Sequence, residues 1–157
     1  MIRNRYLKKT HRYRSRGFTL LEVLVAVAVL SIGLLGLAMM QVESLKYNTD
    51  AYLRTQATIL AYEIIDRMRA NSAAARAGDY VASVAPSPAE NCGETGGCAT
   101  TTALANYDLS VWYSRLNQAL PPDGTPSRIE RAGNTHTITI RWNERGISKS
   151  REWVIEL

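Results

Sequence analysis

From Phe18 to Met40 the chain reads "FTLLEVLVAVAVLSIGLLGLAMM", twenty-three residues whose one charge is Glu22. A helix of that length reaches across a hydrocarbon core of ~30 Å, so the pattern predicts a membrane-spanning segment over 18–40. Past Met40 polarity rises while the helical period persists. Val42, Leu45, Thr49, Leu53, Ala57, Leu60, Ile64 and Met68 recur at steps of three or four, and neither Pro nor Gly occurs between Leu37 and Gly78. One helix is therefore expected from about Phe18 to Asn71, with its second half, 41–72, outside the membrane; at 1.5 Å per residue it would run ~80 Å.

The pattern then changes. Residues 73–102 are rich in Ala, Ser, Gly, Thr and Pro, and "APSPAENCGETGGCATTT" reads as a loop. Beyond it, Asp108 is placed to cap a short helix whose Leu109, Trp112, Leu116 and Leu120 share a face before Pro121 and Pro122 end it. Alternation of Leu109, Val111 and Tyr113 also permits a strand there; the helix is preferred. The last third is β in period. "SRIER", a turn at "AGN", "THTITIRW" with His136, Ile138, Ile140 and Trp142 on one face, a turn near Gly146, and "REWVIEL" with Trp153, Ile155 and Leu157 on one face predict a three-stranded antiparallel sheet. The tryptophans on these faces are expected in the core.

Charge refines this picture through its location. The chain carries a formal net charge of +5, with 19 Lys and Arg against 14 Asp and Glu. Residues 1–16 hold Arg3, Arg5, Lys8, Lys9, Arg12, Arg14 and Arg16 and no acid, which leaves the remainder mildly acidic. Seven cations before the apolar run, with Lys46 close after it, put the N-terminus in the cytoplasm by the positive-inside bias and the rest outside. Outside the cytoplasm the two cysteines, Cys92 and Cys98, are expected to form a disulfide. Closing so short a loop adds ~2 kcal/mol at best, so the bond holds a loop shape rather than the fold.

An apolar run of this length exceeds the ~7–15 residues of a cleaved secretory signal. A plain signal anchor, with Glu22 reaching toward the headgroups, is an alternative. However, the order of basic leader, Gly17, Phe18, Thr19, two leucines, Glu22 and a long apolar helix resembles the N-terminal segment of type IV prepilins and of the related pseudopilins of type II secretion. The resemblance implies removal of a leader, residues 1–17, between Gly17 and Phe18 by a prepilin peptidase, which also methylates the new N-terminus. It further implies that Glu22 pairs with the α-amine of a neighbouring subunit's first residue and so sets axial register. Gly33 and Gly36 are expected to serve close helix packing.

The end of the long helix, "LAYEIIDRMRAN", offers Glu63 with Arg67 and Asp66 with Arg69 as helix-face pairs. It resembles the PilV group of minor pilins, as does the short helix with "LPPDG" followed by a strand ending in Trp142. That resemblance makes Asp66, Arg67 and Arg69 candidates for a subunit interface.

The fold expected is thus α+β and pilin-like. A long N-terminal helix, half transmembrane and half periplasmic, packs on a small antiparallel sheet in a periplasmic head over 73–157. No catalytic triad, phosphate loop or carboxylate pair can be assembled, so no enzyme and no cofactor is expected. Zinc would need more ligands than two cysteines and the separated His11 and His136. Arg128, Arg131, Arg141, Arg145, Lys149 and Arg151 lie in or beside the sheet and keep a DNA-binding accessory pilin in view, though a mildly acidic body makes nucleic acid a poor partner. The expected function is a minor pilin that primes pilus assembly, with a minor pseudopilin of type II secretion as the rival. Its expected partners are the peptidase, other minor pilins, the major pilin, a tip adhesin and the inner membrane.

Overall fold

The computed structural model describes residues 17–87, 92 and 97–157. The basic leader before Gly17 and most of the loop between the cysteines lie outside the described residues. The chain divides into two compact units, Met1–Ser44 and Leu45–Leu157. Helix α1 (Leu20–Ala70) supplies the described structure of the first and the opening element of the second.

In the first unit every side chain from Gly17 to Ser44 is exposed. Among the described residues, α1 is the one helix long and apolar enough to cross a membrane. Between Val23 and Met40 Ser31 is the one polar side chain, and a helix that is apolar on nearly all sides suits lipid or other apolar helices and not water. A Cβ placed on Gly33 or Gly36 meets nothing within 4 Å, so no described residue of this chain packs on those positions.

In the second unit, α1 buries Leu53, Ala57, Leu60, Ile64 and Met68, the outer part of the stripe read from the sequence, together with Ala61 and Ile65. Helix α2 (Ser72–Ala77) follows, then α3 (Thr101–Ala119), then strands β1 (Arg128–Ala132), β2 (Thr135–Glu144) and β3 (Ile147–Glu156). The strands form one antiparallel sheet in the order β1-β2-β3. His136, Ile138, Ile140 and Trp142 of β2 are buried, opposite Ile155, Trp153, Arg151 and Lys149 of β3. The sheet, α3 and the outer part of α1 share one core, centred on Trp112, whose indole N–H donates to the Leu60 carbonyl at 2.9 Å. The long helix packed on a three-stranded antiparallel sheet bears out the expected α+β, pilin-like fold.

Two local readings need correction. The stretch after Asn71 is not all loop, because "SAAARA" forms α2. Gly78 ends it in the left-handed region at φ 95°, where its N–H donates to the Ala75 carbonyl and that of Asp79 to Ala74. This is the terminating pattern that glycine makes cheap. Second, Asp108 caps nothing. Thr100 is the cap of α3, its hydroxyl accepting from the Ala103 N–H at 3.0 Å, and Asp108 lies two turns inside a longer helix, facing the core.

The β2–β3 turn is made by Arg145 (φ 56°) and Gly146 (φ 81°), the double left-handed geometry that matches strand twist in a two-residue hairpin. Arginine is strained there. Its guanidinium donates to Asp50 of α1 at 2.5 Å, and Arg54, one turn on, donates to Glu144 at 3.3 Å. The turn is thereby clamped to the helix by two ion pairs of opposite sense.

Glu144 is buried, which by itself would raise its pKa, but the Arg54 hydrogen bond and charge, with the Trp142 indole, hold the carboxyl below its ordinary 4.5. A carboxyl depressed on folding contributes stability that is present above its unfolded value and lost as pH falls through the folded one. The urea midpoint of the head should therefore drop as pH is lowered from 5 through the carboxylate range. Glu144→Gln should be less stable at pH 7 and show a flatter decline.

Candidate functional site

The first site is the start of the apolar helix. Gly17, Phe18 and Thr19 are non-helical and α1 begins at Leu20. Thr19 sets that boundary. Its carbonyl accepts from the N–H groups of Glu22 and Val23 at 3.1 and 3.3 Å, and its hydroxyl also faces the Glu22 N–H at 3.3 Å. A threonine that satisfies first-turn donors is an effective N-cap. The peptide bond between Gly17 and Phe18 thus lies just outside the helix, in backbone not tied into its hydrogen-bond ladder. Glu22 sits in the first turn with its side chain exposed, the lone acid among the exposed apolar side chains of 18–40. An anion near a helix N-terminus is favourably placed against the helix dipole.

The second site is the end of α1. Of the three residues read there as one surface group, Asp66 and Arg69 are exposed and paired with each other at 3.3 Å. Arg67 instead turns inward. It donates to Glu63 at 2.8 Å and to Asp108 of α3 at 2.9 Å, and Glu63 also accepts from Arg115 at 2.7 Å. The other Asp108 oxygen accepts from the buried Tyr80 hydroxyl at 2.6 Å. Asn71, just past the helix, donates to the Thr101 carbonyl at 2.7 Å. This network ties α1, α3 and the segment after α2 together. Burial and then the Asp108 hydrogen bond push the Tyr80 phenol well above its ordinary value, so it stays a donor throughout the physiological range.

Sequence reading missed Tyr80, Arg115 and the inward role of Asp108, whose partners lie far away in the chain. An acid on the apolar face of Leu109, Trp112 and Leu116 was the available signal. Along α1 the face opposite the core carries Tyr52, Ile59 and Tyr62, each more than half exposed, and continues to Asp66 and Arg69.

Cys92 and Cys98 are joined in a disulfide, as expected. Of the six cations in or near the sheet, Arg145 is held by Asp50, and Arg128 lies 2.9 Å from Glu130. His136 is wholly buried, with Nε2 3.0 Å from the Ala75 carbonyl. Among the described residues no group of His, Cys, Asp and Glu is arranged to hold a metal ion.

Two family models match adjoining stretches of the chain. The prokaryotic N-terminal methylation motif matches residues 12–38, and the family described as type IV pilin Tt1218 matches residues 39–110. The first spans the Gly17–Phe18 bond and Glu22, while the second takes in the rest of α1, the disulfide loop and the first half of α3. Comparison with curated proteins and comparison with solved structures give no significant match.

Proposed function

The chain is a type IV pilin-like protein with an N-terminal methylation motif, and from that premise we propose that it is a minor pilin, similar to PilV, that acts with other minor pilins to prime pilus assembly and resides at the pilus tip. Type IV pilins are structural proteins and not enzymes. The methylation motif implies processing by prepilin peptidase.

In this reading the peptidase cuts between Gly17 and Phe18 and methylates the Phe18 amine. The non-helical backbone ahead of the Thr19 cap supports it, because a bond outside the helical ladder can enter a protease cleft without prior unwinding. Residues 18–40 anchor the processed chain in the inner membrane, residues 1–17 form its cytoplasmic leader, and the outer part of the helix with the head over 73–157 lies in the periplasm. Glu22 pairs with the α-amine of a neighbouring subunit. Asp66, Arg69 and the exposed face bearing Tyr52, Ile59 and Tyr62 meet other minor pilins or the major pilin, while Arg67 supports that surface from within. A tip adhesin is a further partner.

One observation carries this proposal: a methylation motif at the head of an exposed apolar helix whose lone acid lies in the first turn. The mass of the N-terminal peptide from the host membrane tests it. A peptide beginning at Phe18 with one added methyl is expected, and one that retains residues before Gly17 would overturn the reading. Deletion of the gene should then abolish surface pili and twitching; loss of exoprotein secretion with pili intact would assign the chain to a secretion pseudopilus.

The Thr19 cap has its own expected effect. Thr19→Val keeps shape but loses the hydroxyl, and a lost N-cap is worth about 1 kcal/mol. Cleavage by the peptidase should be no slower, because fraying leaves the Gly17–Phe18 bond outside the ladder, while the helical population of residues 20–23, read from NMR shifts in micelles, should fall by roughly fivefold in its folding ratio. Thr19→Ser should restore it.

A further inference from the structure

Strand β3 leaves one long edge of the sheet open. It is the last strand in the order β1-β2-β3, whereas β1 at the other side is met by Ala82, which exchanges backbone bonds with Ile129 at 3.1 and 2.8 Å. Pairing of β3 with β2 runs without a break from Ile147 opposite Glu144 to Glu156 opposite Thr135. Ten residues make it long for a strand, and it has neither the proline nor the bulge with which proteins often blunt an edge.

The register fixes which backbone groups are free. The Leu157 N–H donates to the Asn134 carbonyl at 3.1 Å, so these two residues form a hydrogen-bonded pair, and every second pair from there to Ile147 with Glu144 does the same. The N–H and C=O groups of Ser148, Ser150, Glu152, Val154 and Glu156 therefore point away from β2. None of them meets another backbone group among the described residues. Ser148 is tied through its hydroxyl to Asp123 in the loop before β1, which leaves Lys149 to Glu156 as the open stretch.

Side chains give each face of this edge a sign. Lys149, Arg151, Trp153 and Ile155 stand on the face whose β2 partners, Trp142, Ile140, Ile138 and His136, are buried. Trp153 and Ile155 are only partly covered there. The other face carries Ser150, Glu152, Val154 and Glu156, with Val154 64 % exposed. Cations thus lie on one face and anions on the other. None of these four is in an ion pair among the described residues, in contrast to Arg145 with Asp50 and Arg54 with Glu144. An antiparallel second copy of β3 would keep its faces, so no register brings its cations beside its anions, and like charges set opposite destabilise a pair. A strand with the reverse pattern gains at every charged position.

We propose that the open edge of β3 receives an antiparallel strand from a partner protein, a segment that reads apolar, apolar, acid, acid at alternate positions on one face and carries cations on the other. The acids meet Arg151 and Lys149, the apolar side chains cover the open flanks of Ile155 and Trp153, and the cations meet Glu156 and Glu152. Main-chain bonds to Ser150, Glu152, Val154 and Glu156 supply affinity and the alternating side chains supply selectivity. The inference concerns a different element from the N-terminal helix start and the exposed face of α1, and none of its readouts depends on N-terminal processing.

The test uses the isotope-labelled full chain in detergent micelles, titrated with Ac-Lys-Ile-Thr-Val-Lys-Glu-Thr-Glu-NH2 and with its charge-reversed form, Ac-Glu-Ile-Thr-Val-Glu-Lys-Thr-Lys-NH2. The first peptide should bind at least tenfold tighter. The amides of Ser150, Glu152, Val154 and Glu156 should gain protection from solvent exchange, while those of Arg151, Trp153 and Ile155, already bonded to β2, should change little. Lys149→Glu with Arg151→Glu should erase the preference, since each peptide then meets two like and two unlike charges. Val154→Pro removes an outward N–H that β2 does not use, and should weaken the first peptide at least tenfold with the rest of the head spectrum unchanged. Equal affinity for the two peptides, binding of neither, or protection away from β3 would overturn the proposal. So would a dimer of the chain, seen by sedimentation, that buries the same four amides without peptide. The two peptides on the unaltered chain decide the matter even where a variant fails to fold.

Discussion

Asp108→Ala should destabilise the head by about 3 kcal/mol, at the lower end of the cost of breaking a buried charge pair. Asp108 is 7 % exposed and is the acceptor for two groups from distant parts of the chain, Arg67 of α1 and the Tyr80 hydroxyl. Truncation leaves the buried phenol as a donor with no acceptor, a loss of about 1–3 kcal/mol in itself. Arg67 loses one of its two carboxylates but keeps Glu63 and is a quarter exposed, which holds the total down. Asp108→Asn should cost less, since the amide oxygen still accepts one bond while the charge is lost. Tyr80→Phe should cost least, about 1 kcal/mol, because it removes a donor and leaves Asp108 with Arg67. Urea unfolding of the full chain in detergent, followed by tryptophan emission, gives the three midpoints. Equal midpoints for Asp108→Ala and the unaltered chain would show that the network does not hold α1 to α3.

The same residue shows where sequence reading stops. The long helix was legible because its signal is local and repeated: an apolar run, then an apolar stripe at steps of three and four with no Gly or Pro between Leu37 and Gly78 to interrupt it. The sheet was legible for similar reasons, from alternation in "THTITIRW" and "REWVIEL" separated by glycine turns. Asp108 looked like a cap because aspartate is a good one and "TTALANY" before it lacks a clear apolar face. Its actual place depends on Arg67 and Tyr80, forty-one and twenty-eight residues away, which no local rule supplies. Asp50 with Arg145 and Glu144 with Arg54 are hidden likewise, at separations of ninety-five and ninety. The α2 helix was missed for the opposite reason. Composition suggested a loop, yet alanine is the best helix former and Gly78 supplied the stop. At the N-terminal site, the methylation motif was legible, and the structure adds that the helix starts only after Thr19.

Glu22→Ala should leave cleavage at Gly17–Phe18 largely intact and yet remove the chain from assembled pili. The Gly17–Phe18 bond lies outside the helix and the Thr19 cap uses its own carbonyl and hydroxyl with the Glu22 backbone N–H, none of which needs the glutamate side chain. In the proposed reading, however, cleavage creates a cationic α-amine on Phe18, which would have to enter a bundle of apolar helices when the subunit is incorporated. An ammonium left alone there costs several kcal/mol, and only a nearby anion offsets it. Glu22 is the one acid on the exposed apolar run and lies within the first turn of α1, four residues past Phe18. Removing it costs assembly about 3–5 kcal/mol, a fall in incorporation of more than a hundredfold. Glu22→Asp, one methylene shorter, should recover part of the loss, whereas Glu22→Gln should recover little because the amide carries no charge. The readout is immunoblotting of sheared pili against membranes, with the N-terminal peptide mass from the same membranes as the cleavage control. A Glu22→Ala chain that is cut, methylated and present in sheared pili at the normal level would mean that some other group neutralises the amine, and the register role would pass from Glu22 to that group.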